Sequence, residues 1–229
     1  MGKKMAPWTP PQEDAQGANA FGLLRQFARK QKPAEWCELC SAALAHEHPH
    51  LVELAARRLL CACDGCALLF DCGANGKYKR VSRRVQLLES FHLTDAQWDG
   101  LMIPINMAFF FHSSIEKRVV TFYPSPAGAV ESLLSMEAWK DIAGERSALE
   151  RMQPDVEALL VNRVGYSHGT SKPEYFIAPI DECYKLVGLI RTHWRGLSGG
   201  SEVWQEIGNF FSELRQKAVV IERGETCLS

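Results

Sequence analysis

"LLCACDGCALLF" (residues 59–70) sets three cysteines within six positions between two apolar runs, and "WCELC" (residues 36–40) sets another pair upstream. If these thiols are ordinary small apolar side chains, this part of the chain needs a core of its own. If they hold a metal, it can fold around the ion. Cys37 and Cys40 enclose two residues, Cys63 and Cys66 enclose two more, and 22 residues separate the pairs. That is the C-x2-C…C-x2-C spacing of tetrahedral thiolate sites. A tight turn across two residues lets both sulfurs face one ion while its backbone N–H groups bond the thiolates. Gly65 suits such a turn because it tolerates positive φ. Leu59, Leu60, Leu68, Leu69 and Phe70 read as strands flanking the second pair, with Trp36 placed to cover the site.

A module of this size buries too little apolar surface to fold securely by itself. Structural zinc contributes about 10–16 kcal/mol in finger peptides, enough to supply what the core lacks. The expected ligands are therefore Cys37, Cys40, Cys63 and Cys66. Four thiolates suit Zn2+ or a single iron of the rubredoxin kind. Rubredoxin-type knuckles continue with glycine after the second cysteine, whereas Ser41 and Ala67 stand there, which favours zinc. Cys61, two residues from Cys63, should point to the opposite face of an extended segment and is read as buried rather than ligating. His46, His48 and His50 of "HEHPH" could replace a cysteine but read as an exposed polar loop.

The remainder bounds the class. Of eight cysteines in 229 residues, five fall between positions 37 and 66, while Cys72, Cys183 and Cys227 are scattered and read as incidental thiols. Hydrophobic residues make up 46% and charged residues 23%, so the chain has the composition of a globular protein. A net charge of −1 argues against a polyelectrolyte built for nucleic acid or membrane. No apolar run approaches the roughly 20 residues of a membrane span. The opening "MGKKMAPWTPPQEDAQ" has no apolar stretch behind its lysines, and Ala6 breaks the myristoylation pattern. A cytoplasmic protein is expected.

Residues 1–18 read as a flexible tail, and 19–78 as a short amphipathic helix capped by Asn19 plus the cysteine module. Residues 79–218 read as an α+β domain and 219–229 as a C-terminal tail. In the domain, Thr94 and Gln97 form a capping-box pattern. "NMAFFFHSS" and "KRVVTFYP" read as two antiparallel strands turning around Ser113–Glu116, and "VEALLVNRV" and "EYFIAPI" as a second pair. "SPAGAVESLLSMEAWKDIAGE" reads as one or two helices. Two amphipathic helices follow, with Asp181 and Ser201 placed to cap them. The expected fold is thus a small zinc-ribbon-like module followed by an antiparallel-sheet domain with C-terminal helices.

Other motifs carry less. "KYKRVSRR" (77–84) could grip phosphates beside a zinc ribbon, but reads as a solvated face. "RGLSGGSEVW" leads glycines into a helix start without the Lys-Ser/Thr of a P-loop. Ser125, His112, His168 and His193 form no recognisable catalytic set, so no enzyme is expected.

At "PINMAFFFHSS", "RVVTFYPSPAGAVESLL", "PDVEALLVNR" and "PIDECYKLVGLIRTHWRGLSGGSEVWQEIGNFF" the chain resembles a bacterial family of unknown function. Its members are often encoded among the structural and maturation genes of uptake [NiFe]-hydrogenases. The resemblance runs from about Trp36 to Ala218 and takes in both cysteine pairs. It implies an accessory role, in assembly or maturation through contact with a hydrogenase subunit or maturation protein, or in electron handling beside the enzyme. No nickel-ligand set of a hydrogenase is visible. The leading expectation is a non-catalytic, zinc-stabilised accessory protein. The alternatives are a rubredoxin-like one-iron electron carrier and, more weakly, a nucleic-acid-binding zinc ribbon.

Overall fold

The computed structural model describes residues 35–71, 76–132, 136–143, 147–166, 169 and 171–221. The expected tail over 1–18, the helix from Asn19, Cys72, His168, Cys227 and residues 222–229 lie outside them. The chain divides into two compact units, Met1–Glu35 and Trp36–Ser229, and the named elements all belong to the second.

Three short strands form a small antiparallel sheet: β1 (His50–Glu53), β2 (Arg58–Cys61) and β3 (Tyr78–Arg80), in the order β2-β1-β3. Between β2 and β3 runs a six-residue helix, α1 (Asp64–Leu69). Seven strands form the large sheet: β4 (Gln86–Leu88), β5 (Met107–Ser113), β6 (Arg118–Ser125), β7 (Gly128–Ser132), β8 (Glu157–Asn162), β9 (Glu174–Pro179) and β10 (Val219–Ile221). Their order is β10-β4-β9-β8-β5-β6-β7, antiparallel except where β10 runs parallel to β4. The helices are α2 (Asp95–Asp99), α3 (Met136–Ala143), α4 (Ser147–Glu150), α5 (Ile180–His193) and α6 (Gly200–Lys217). The fold is α+β, with the cysteine module ahead of the large sheet and two long helices behind it.

Period-two alternation in "MAFFFHS" explains why the sheet sits between two apolar layers of this unit. Met107, Phe109 and Phe111 face one side, where Leu186, Val187 and Ile190 of α5 meet Ile207, Phe210, Phe211 and Leu214 of α6. Ala108 and Phe110 face the other, against Trp98, Leu101, Ile142 and Leu149. With both faces covered, the central strands are apolar almost throughout, and β8 has five buried residues of six.

Several local readings change. The segment before α3 is an edge strand, β7, rather than the start of a helix. Ser125 turns the chain by accepting from the Ala127 N–H and donating to the Gly128 carbonyl, and Gly128 takes φ +128°. Residues 219–221, read as the start of a tail, complete the sheet beside β4. Neither expected serine or aspartate cap holds. Helix α5 begins at Ile180, so Asp181 lies in its first turn, and α6 begins at Gly200 after Gly199. Gly199 has φ +88°, and a Cβ there would meet Val203 Cγ1 at 2.8 Å, so conformation and space both require glycine. Thr94 and Gln97 do make the capping box.

The basic run is an internal tie as much as a surface. Lys77 pairs with Glu53, and Lys79 with Asp155 at 2.7 Å. Burial opposes ionisation of Asp155, but hydrogen bonds from Lys79 and Ser114 outweigh it and hold its pKa below the usual carboxylate value. Arg84 donates from Nε and Nη2 to Glu157, whose side chain is fully buried and also accepts from Ser82 Oγ and the Gln153 N–H. Replacing Arg84 with alanine strips this buried carboxylate of its countercharge and should cost roughly 2–4 kcal/mol, less than a fully buried pair because Arg84 is partly exposed. Its exposed neighbour Arg83→Ala should change stability by less than about 0.5 kcal/mol. Urea denaturation of the two variants checks the contrast.

Candidate metal centre

Two local structures carry the four cysteines. "WCELCSA" closes a hairpin-like knuckle: Ser41 N–H donates to the Cys37 carbonyl and Cys37 N–H to the Ala42 carbonyl, each at 2.8 Å, with a bridge between Trp36 and Ala43. Ser41 takes φ +60°, so the positive-φ position of the first knuckle is filled by serine. The second pair is built differently. Cys63 is the N-cap of α1, and its sulfur accepts from the Cys66 N–H at 3.4 Å, the place a serine or aspartate oxygen would occupy at an ordinary helix start. Asp64 adds an acidic residue to the first turn. Leu68, Leu69 and Phe70 therefore end a helix rather than form a strand, and Gly65 needs no positive φ, because the cap already fixes the turn.

The fold brings the sulfurs of Cys37, Cys40, Cys63 and Cys66 within 4.8 Å of one another, with Cys40 and Cys63 at 3.7 Å. A tetrahedron with metal–sulfur bonds of about 2.3 Å has edges near 3.8 Å, so the donor set fits one ion. Cys37 and Cys66 are buried against Leu51, Leu60, Ala62 and Ala67, while Cys40 is exposed. Trp36, expected to cover the site, is 57% exposed.

Electrostatics favour a cation between these atoms. Burial works against a Cys37 thiolate, yet N–H groups of Cys63, Leu39 and Cys40 outweigh it and bring its pKa down to about 6. At Cys66, burial and then the sulfurs of Cys40, Cys63 and Cys37 push the thiol up to about 12. The Ala42 N–H favours a Cys40 thiolate, but the neighbouring Cys37 sulfur turns the balance upward. Four sulfurs this close cannot all ionise against one another. A divalent ion removes the conflict by binding them as thiolates. The four residues would hold zinc or one iron, and zinc there would supply structural cross-linking rather than a reactive position.

Among the described residues, the other two cysteines stand apart. Cys183 is fully buried in the core of the large sheet, where burial raises its pKa well above the ordinary thiol value. Cys61 ends β2, on the far side of that strand from Leu60 and the four-sulfur core. His48 and His50 are half-buried rather than part of an exposed loop, and His50 Nδ1 lies 2.8 Å from Asp181 Oδ2. Sequence reasoning passed over this pairing; the visible signal was the two-residue spacing of histidines in "HPH" leading into a strand.

A family model matches residues 36–218, from the tryptophan before the first knuckle to the end of α6. The chain belongs to a family of unknown function (DUF5947). No curated protein and no solved structure matches the chain. The family span includes all four cysteines and both sheets except β10.

Cys63→Ser removes a ligand while leaving an oxygen able to cap α1. It should lose about one equivalent of metal and lower the melting temperature sharply. Cys183→Ser should keep the metal while losing about 1–3 kcal/mol for a buried hydroxyl. Elemental mass spectrometry and thermal unfolding of the two variants separate ligation from packing.

Proposed function

We propose that this protein is a non-catalytic cytoplasmic accessory protein, stabilised by one structural zinc on Cys37, Cys40, Cys63 and Cys66, that works through protein–protein contacts. The observation that carries this reading is the convergence of four sulfurs from two separate local structures to within 4.8 Å of one another, a number and spacing that suit one tetrahedral ion. A closed set leaves no position for substrate or water. Trp36, Leu68 and Leu69 on the cysteine module are all more than half exposed, as an apolar docking region would require. Among the described residues no helix is long and apolar enough to cross a membrane. The resemblance to a family encoded beside uptake [NiFe]-hydrogenases directs the search for the partner to hydrogenase subunits and their maturation factors.

One observation favours a second reading, a one-iron electron carrier on the same four cysteines. Ser41 adopts the left-handed backbone that a rubredoxin-type knuckle assigns to glycine. Against it, the second pair sits on a helix start rather than a matching hairpin knuckle, with Ala67 inside that helix. Nucleic-acid binding draws less support, since Lys77, Lys79 and Arg84 of the basic run are paired with carboxylates.

The deciding experiment is elemental analysis and a visible spectrum of untagged protein from its own host, followed by identification of co-purifying proteins. About one zinc, no visible band and a hydrogenase protein in the eluate are expected. About one iron with a thiolate charge-transfer band that bleaches on reduction would replace the structural reading with electron transfer.

A further inference from the structure

The small sheet has a second face. Residues of a strand alternate sides, so Leu51 and Leu60 line the four-sulfur core while His50 and Cys61 project from the opposite surface. His50 and Cys61 are directly paired across β1 and β2. His48, two residues before His50, falls on the same side, and the two imidazole rings meet edge to face at 4.9 Å. The ligand atoms of His48, His50 and Cys61 all lie within 4.8 Å of one another.

We propose that His48, His50 and Cys61 form a second metal site, separate from the four-cysteine centre, that takes a borderline divalent transition ion and leaves one coordination position open. Hydrogen bonding has already oriented the imidazoles. His50 Nδ1 is engaged by Asp181 Oδ2 at 2.8 Å, and His48 Nδ1 by the Ala45 carbonyl at 2.9 Å. With Nδ1 committed on both rings, Nε2 is the ligating nitrogen. A carboxylate or carbonyl behind the imidazole is the usual second partner of a metal-bound histidine, since it fixes the tautomer and raises basicity. Asp181 is itself held, its Oδ1 accepting from the Glu182 N–H at the start of α5.

The third ligand is held as firmly. The Cys61 N–H donates to Glu38 Oε1, and its carbonyl accepts from the Glu38 N–H, both at 2.9 Å. Glu38 lies between Cys37 and Cys40. Order in the first knuckle therefore sets the position of Cys61, and the first centre prepares the second.

Two imidazoles and one thiolate select Zn2+, Ni2+, Co2+ or copper over the oxygen-seeking Mg2+ and Ca2+. Three protein donors rather than four leave a place for water or an incoming ligand. All three residues are half-buried, and His48 Nε2 is itself a buried atom, so the site lies within the fold rather than on open surface. The donors stand slightly wider than a bound ion requires, and metal entry draws them together by up to about 1 Å.

The test is Co2+ titration of the full chain with its first centre already occupied, followed by absorption. The expected result is one further equivalent, with d–d bands and a charge-transfer band from a single thiolate. Cys61→Ser and His48→Ala should each weaken this equivalent at least 100-fold, and Asp181→Asn, a positioning change, by 10–100-fold. His46→Ala should leave it unchanged, and the metal of the first centre should stay constant throughout. Circular dichroism confirms folding, with His48→Gln as the substitute should His48→Ala unfold. Absence of a second equivalent in the parent protein overturns the proposal. So does an equivalent that survives the Cys61→Ser/His48→Ala double change, which would mark adventitious surface binding. Failure of the zinc reading shows separately, as no metal lost on Cys63→Ser.

Discussion

Side chains alternate along His50–Glu53, sending Leu51 into the cysteine-lined core and Val52 into the core of the large sheet, so one four-residue strand is gripped from both sides. Neither neighbouring structure is complete without it. The cysteine core has few apolar members beyond Leu51, Leu60, Ala62 and Ala67, and depends on whatever draws its sulfurs together. The large core counts Val52, Leu54, Val81 and Val85 among its buried residues. Polar ties repeat the attachment at three points: His50 to Asp181, Lys79 to Asp155, and Ser82 with Arg84 to Glu157. The cysteine module is thus an integral layer of the unit that begins at Trp36.

Where burial pattern and spacing agree, the sequence was readable. The strands around "AFFF" and "ALLV" were legible because short apolar runs with aromatic or β-branched residues, bounded by turns, suit a sheet covered on both faces. The cysteine spacing pointed to sulfurs that the fold does gather, since two C-x2-C turns need little else from the chain. Less was legible where a tertiary partner decided the outcome. "AGAVES" has acceptable helix propensity and becomes a strand because β6 offers an open edge. "CDGC" read as a tight turn with a strand at Leu68–Phe70 after it, whereas Asp64–Leu69 is one helix because a sulfur caps it. The face shared by His50 and Cys61 depends on a cross-strand register that no single-segment pattern carries.

The two ends of α1 illustrate how closely chemistry and local structure are bound here. A six-residue helix is far too short to persist by itself. Its start is a thiol that the metal centre would claim, and its far end leaves Leu68 and Leu69 in solvent. Loss of the ion would therefore reach the exposed apolar residues through a single turn of backbone.

The parallel pairing of β10 with β4 links residues 86–88 to residues 219–221, far apart along the chain. Strand β4 emerges from the ribosome long before the strand that covers its outer edge. Through most of synthesis that edge presents unpaired N–H and carbonyl groups, the kind of surface that invites pairing with another chain. For a nascent molecule the final three residues of the sheet act as a closing seam, and a ribosome that stalls before residue 221 releases a product able to join its neighbours instead.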